Sequence, residues 1–244
     1  MDPAHLDELA KLEESYWWHV AKRRLAMDVA SKFAAPPGLI VEGGVGGARN
    51  LLEFQRLGYR VHGLDLMPEA IEYCHRRGIE RADVHDLCQA WPIDPGSASL
   101  VVMLDVLEHL AEPVRALEHA QNTLAPNGSI LLTVPAWPSL FGEWDRRLGH
   151  FRRYTPAMLK QHVHSAGLTM RWLNFWNAFS LPPAIVLRLW QRWLPKSRAA
   201  EFPRVSPITN RLLSTVASWE RTFLRRCPLP TGLSLIAVVG KPSS

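Results

Sequence analysis

Residues 39–65, LIVEGGVGGARNLLEFQRLGYRVHGLD, decide the fold. The apolar run Leu39-Ile40-Val41 ends in an acid, Glu42, and glycines occupy 43, 44, 46 and 47. A helix-like segment follows, then a second apolar run that ends in Asp65. This order reads as strand, Gly-rich turn, helix and strand, a unit that brings a ligand close to backbone at a helix N-terminus and sets an acid against a ribose.

The spacing narrows the ligand. A dinucleotide fingerprint G-x-G-x-x-G fails, because counting from Gly44 the third position is Arg49. No Lys follows the glycines, so the phosphate loop G-x-x-x-x-G-K-[ST] is absent too. Acid-x-G-x-G-x-small does fit, through Glu42, Gly44, Gly46 and Ala48. This resembles motif I of the class I methyltransferases that use S-adenosylmethionine, with Ala48 standing for the usual third glycine. The resemblance implies that Glu42, Gly44 and Gly46 form the turn beside the methionine part of the cofactor. It also implies that Asp65 and Leu66, at the end of the next strand, hold the ribose.

Two further stretches carry the same resemblance. In VHDLCQAWP, residues 84–92, Asp86 and Leu87 match the positions that meet the adenine. Leu104-Asp105-Val106-Leu107-Glu108-His109-Leu110 matches D-V-L-E-H-[LIV], with Leu104 facing the cofactor. The strand before it lacks the usual Asp and reads Ala98-Ser99-Leu100-Val101. His109 is a candidate base, but a His in the first turn of a loop-to-helix segment more often orients backbone than moves protons.

A third constellation, GEWDRRLGHFRRYT over 142–155, resembles the D-x-x-x-G-H-x-R-R-Y-[ST] stretch of a subgroup of these enzymes. His150 is the first candidate for taking a proton from the acceptor, and His109 the second. Arg152 or Arg153 could grip an anionic group through paired N–H donors, or lock the loop together with Tyr154. Thr155-Pro156 is an N-cap followed by Pro at the first helical position. Near the N-terminus, Tyr16-Trp17-Trp18-His19-Val20-Ala21-Lys22-Arg23-Arg24 resembles a W-W-F-x-x-R-R segment, with Lys22 where Arg is usual. Such a helix folds over the cofactor, with a basic residue for its carboxylate, or simply packs on the core.

The expected fold is α/β: a doubly wound, mostly parallel seven-stranded sheet with added helices at the N-terminus and near the C-terminus. Strands are expected near 38–42, 60–65, 81–84, 98–105, 128–134, 168–177 and 232–240. Helices are expected over 5–33, 47–57, 68–77, 112–125 and 156–166, with Pro126-Asn127-Gly128 as a turn. The divisions are an N-terminal helical cap (1–37), the cofactor-binding core (38–177), a helical insertion or lid (178–231), and a final strand and tail (232–244).

Composition bounds the partners. Lys and Arg exceed Asp and Glu by 28 to 23, and the pI is near 9.4, but the basic residues are scattered as pairs. No Lys/Arg block reads as a nucleic-acid tail, and the base-methylating N-P-P-[YF] motif is missing: Leu181-Pro182-Pro183-Ala184 lacks both Asn and aromatic. Cys74, Cys88 and Cys227 form neither a metal-spaced pair nor a disulfide framework, so no metal is expected and a cytoplasmic setting fits reduced thiols. No run is long and apolar enough to span a membrane. In the 172–198 region, Trp172, Phe175, Trp176, Phe179, Trp190 and Trp193 accompany Arg188, Arg192, Lys196 and Arg198. That mixture suits a lid over an apolar or anionic acceptor, a dimer surface, or peripheral contact with an anionic membrane.

The function expected is methyl transfer from S-adenosylmethionine to a small-molecule or lipid-like acceptor, by a monomer or homodimer. A cofactor-binding pseudoenzyme or regulatory partner is the alternative, and a nucleic-acid methyltransferase the weakest reading.

Overall fold

The computed structural model describes residues 3–191 and 205–242. Its centre is one seven-stranded sheet: β1 Leu39–Gly43, β2 Arg60–Asp65, β3 Ala82–Val84, β4 Ala98–Leu104, β5 Leu124–Pro135, β6 Thr169–Trp176 and β7 Ser234–Gly240. The spatial order is β3-β2-β1-β4-β5-β7-β6. Only β7 runs antiparallel, between β5 and β6. The order reverses between β1 and β4, so the crevice for a ligand opens beyond their C-terminal ends.

Period-2 alternation divides the core. Ile40, Leu100, Val102, Leu131, Ile236 and Val238 face one side, and Val41, Val101, Met103, Ile130, Leu132 and Ala237 face the other. On the first side lie α2 Trp17–Phe33, α3 Arg49–Arg56, α4 Pro68–Arg76 and α9 Pro207–Leu224; on the second lie α5 Pro113–Thr123 and α7 Pro156–Ser165. Both faces are covered, as a mostly parallel sheet requires.

Two local expectations need correction. The helix expected over 5–33 is two helices, α1 Pro3–Ser15 and α2, because Tyr16 has extended backbone (ψ 128°). Asn210 satisfies the first turn of α2 by accepting from the Trp17 N–H at 2.8 Å, a contact 193 residues away in sequence. The turn expected at Pro126–Gly128 lies within β5. Leu124 pairs with Ala98, the register slips, and regular pairing resumes at Leu100 and Ser129.

After β5 the chain forms a loop with a short helix, α6 Glu143–Arg147, before α7. The 178–231 segment contains α8 Leu181–Gln191 and α9. Glu220 of α9 accepts the N–H groups of Asn177, Ala178 and Phe179, which fixes the lead into α8. Arg192, Trp193, Lys196 and Arg198 lie outside the described residues. No helix among the described residues is long and apolar enough to cross a membrane.

Candidate active site

The C-terminal ends of β1, β2 and β4, the β5–α7 loop and the two N-terminal helices enclose a cavity of about 670 Å³, within the range of small-molecule and cofactor sites. Gly44, Gly46, Asp65, Leu66, Asp86, Leu87, Leu104, His109 and His150 all line it. Glu42 does not line it. Its carboxylate lies beneath the turn, where Asn50 Nδ2 donates to Oε1 at 3.0 Å and Oε2 has no partner. Burial pushes Glu42 up to about 8, so it is largely protonated at neutral pH.

The turn is shaped by close approach. Gly44 has φ +76° and Gly46 φ +52°, the left-handed region that favours glycine. A β-carbon on Gly44 would also meet Val106 Cγ2 at 2.6 Å. Ala48 adopts φ +58° just ahead of α3. Asp65 braces the turn from the neighbouring strand: Oδ2 accepts from the Gly46 N–H at 3.3 Å and Oδ1 from the Met67 N–H at 3.0 Å. Burial raises its pKa and these N–H donors counter the rise. Asp86 holds its own turn by accepting from the Cys88 N–H at 2.9 Å, and Leu87 is buried beside it.

On the opposite wall, His150 Nδ1 lies 3.1 Å from Asp145 Oδ1. Asp145 is fully buried; it also takes Arg153 Nε at 2.7 Å and the Gly142 N–H at 2.9 Å. Burial opposes its charge, but the His150 hydrogen bond and the Arg153 guanidinium prevail and hold it at about 2. An ionised Asp145 orients the His150 ring and fixes a proton on Nδ1, leaving Nε2 as the acceptor nitrogen. His109 packs edge-to-face against His150, ring centroids 4.6 Å apart. Burial, with His150 nearby, brings His109 down to about 4, so it is neutral at pH 7.

Glu108 lies beneath the histidines, fully buried, with neither carboxylate oxygen partnered. Burial and the charge of Asp105 raise its pKa well above the ordinary range. Glu108, His109 and His150 offer ligand atoms that all lie within 4.8 Å of one another, a grouping able to take a divalent cation. No spacing in the sequence announced it, because Glu108 and His150 come from different loops.

The N-terminal helices form the roof. Trp17, Trp18 and Lys22 line the cavity. Lys22 Nζ is 2.7 Å from Asp105 Oδ2, and Thr133 donates to Asp105 Oδ1 at 2.8 Å. Burial works against both charges, yet the pairing raises Lys22 and lowers Asp105, so both are ionised. Trp176 packs on Trp18 and is buried, while Phe179 on Trp17 and Phe175 on Trp137 are half-buried, so these aromatics are engaged in packing within the fold. From α8, Ala184 and Leu187 reach the cavity. Arg153 is committed to Asp145 and to the Ala136 carbonyl, and Arg152 donates to the Ala111 carbonyl. Tyr154 is buried, its hydroxyl donating to the Leu107 carbonyl. Glu13, also on the cavity wall, had no signal in the sequence.

Residues 17–172 match a family of methyltransferase domains. Ubiquinone biosynthesis O-methyltransferase of Xanthomonas campestris pv. campestris is 27% identical over 154 residues, 56% of this chain and 63% of that protein. An uncharacterised 37.1 kDa protein in transposon TN4556 of Streptomyces fradiae is 34% identical over 88 residues, 33% of this chain and 24% of that protein. The chain thus spans less than two thirds of the length of these relatives. Among solved structures, the methyltransferase in complex with the Trm112 activator of Haloferax volcanii aligns with a TM-score of 0.64 at 17% identity, over 99% of this chain and 96% of that one. Geranyl diphosphate C-methyltransferase of Streptomyces coelicolor A3(2) aligns with a TM-score of 0.61 at 14% identity, over 92% and 78%. The chain belongs to the methyltransferase domain family, in the class I superfamily that uses S-adenosylmethionine.

Proposed function

We propose that this chain transfers the methyl group of S-adenosylmethionine to a small-molecule acceptor. One observation carries the reading: the strand-end carboxylates of Asp65 and Asp86 and the Asp145-oriented His150 open onto the same cavity. When bound, the cofactor supplies an electrophilic methyl group on a sulfonium. Asp65 holds the ribose hydroxyls, Asp86 and the Leu87 backbone meet the adenine, and Gly44 and Gly46 leave room for the methionine part. Glu42 acts from beneath, keeping the turn in shape through Asn50.

The protein's own work is alignment and the exclusion of water, which supply up to roughly 7–11 kcal/mol of barrier reduction in well-oriented cases. His150 Nε2 takes the proton of an acceptor hydroxyl or ammonium, with Asp145 stabilising the imidazolium that forms. Neutral His109 sits beside it and shapes the acceptor corner. Leu140, Trp144, Leu148, Ala184 and Leu187 give the cavity apolar lining, which suits an acceptor with an apolar body. The relatives named for ubiquinone biosynthesis and for geranyl diphosphate favour a small-molecule acceptor over nucleic acid.

The unpartnered Glu108 favours a second reading of the acceptor corner, in which Glu108, His109 and His150 hold a divalent cation that binds the acceptor. Release of S-adenosylhomocysteine in the presence of fractionated small-molecule extract tests the first reading. No release from any fraction by a chain that binds the cofactor sinks it in favour of a pseudoenzyme. Release abolished by a chelator and restored by added cation selects the second.

A further inference from the structure

We propose that Glu13, on helix α1, is the counter-ion for the α-ammonium of the cofactor's methionyl end. The inference rests on the cofactor reading above and adds a residue outside the 17–172 family match.

Glu13 lies in the last turn of α1, is 8% exposed, and lines the cavity. Its Oε1 accepts from the Gly47 N–H at 3.4 Å, while Oε2 is buried without a partner. A carboxylate oxygen out of water and unpaired is costly, which marks a place built for a donor. The stretch of helix that carries it is tied on both sides. Arg23 Nη1 donates to the Glu13 carbonyl at 2.9 Å. Glu14 pairs outward with Arg49 at 3.0 Å and Arg77 at 2.7 Å.

The cations of the protein that face Glu13 are otherwise engaged. Lys22 is held by Asp105 at 2.7 Å, Arg23 by the Glu13 carbonyl, and Arg77 by Glu14 and the Gly47 carbonyl. A cationic ligand group therefore completes the site.

Position decides which ligand group. Gly46 bonds Asp65 through its N–H, and a β-carbon on Gly46 would lie 3.1 Å from Glu13 Oε1. A β-carbon on Gly47 would collide with the Glu13 carboxylate and the Ala10 backbone. The two glycines thus admit helix α1 to the turn, and Glu13 stands one turn residue beyond the ribose acid. A cofactor seated with its ribose on Asp65 has its aminoacyl end as the next charged group in reach. The amine of an acceptor is the competing source of an ammonium.

Ligand truncation separates these sources. Calorimetric titration compares wild type and Glu13→Gln with S-adenosylhomocysteine and with 5′-methylthioadenosine, which keeps the nucleoside and lacks the aminoacyl group. Gln keeps the volume and an oxygen for the Gly47 N–H, and a thermal melt checks that α1 stays docked. The expected result is a roughly 10- to 100-fold loss of S-adenosylhomocysteine affinity with methylthioadenosine affinity unchanged. Equal weakening of both ligands overturns the proposal in favour of a packing role. Unchanged S-adenosylhomocysteine affinity overturns it in favour of an acceptor amine or no ligand. A wild type that ignores both nucleosides defeats the cofactor reading itself, and this inference with it.

Discussion

The two walls of the cavity are built by opposite means. The wall proposed for the cofactor, from β1, β2 and the segment after β3, is made of short strand ends whose acids are held by neighbouring backbone: Asp65 by Gly46 and Met67, Asp86 by Cys88. The wall proposed for the acceptor is made of side chains that hold other side chains across the β5–α7 loop, His150 by Asp145 and Asp145 by Arg153, and the roof adds Lys22 held by Asp105. Backbone donors come with the fold. A buried network of charges exists only when every member is in place, so it fails as a unit. Damage to the first wall should therefore read out in cofactor affinity, and damage to the second in turnover or stability.

The largest effect expected is from His150→Ala, a fall in kcat of about 10²–10⁴-fold with cofactor affinity intact. Wild-type turnover in this variant would remove His150 as the base and erase the contrast between the walls. Next is Lys22→Met, which leaves Asp105 buried without its cation. A loss of about 3–5 kcal/mol is expected in urea unfolding, and adding Asp105→Asn should recover part of it. Asp65→Ala removes an acid that lines the cavity and braces the Gly46 turn. Calorimetry should show cofactor affinity falling by roughly 10²-fold while the far-ultraviolet spectrum stays unchanged. The more exposed Asp86 should cost only about tenfold on the same test when changed to Ala.

The smallest effect concerns Glu42, below both walls. Its folded pKa of about 8 lies above the ordinary carboxylate value, so the folded state binds the extra proton. Its contribution to stability is complete below the unfolded value near 4.5 and is lost as pH rises towards 8. Glu42→Gln should remove that slope and raise the melting temperature at pH 8 by about 3–8 °C, with little change at pH 4.5. A pH-independent difference between the two proteins would show that Glu42 is not protonated in the fold.

The sheet and the strand-end residues that line the cavity were legible because their signals are local. Val101 to Leu104 and Ile130 to Val134 read as buried strands, and Gly44, Gly46 and Asp65 sit at spacings that strand, turn and strand geometry sets. His150 was visible as a residue type in a stretch that resembles a subgroup. What orients it was harder to read: Asp145 is only five residues away, but it meets His150 because α6 turns the chain back. The break at Tyr16 was hidden as well, since a stretch without Gly or Pro carries no mark of an end that Asn210 secures from across the molecule.

The sequence by itself determined the α/β alternation, the glycine turn and the acids at the ends of neighbouring strands, because hydrophobic period and turn chemistry act over a few residues. Only the tertiary structure decided that Glu42 lies beneath the turn, that Lys22 is spent on Asp105, and that Glu13 with one oxygen and Glu108 with both are buried without a partner. The physical reason is that charge pairing and burial depend on distances through space, and here they join segments that are far apart along the chain.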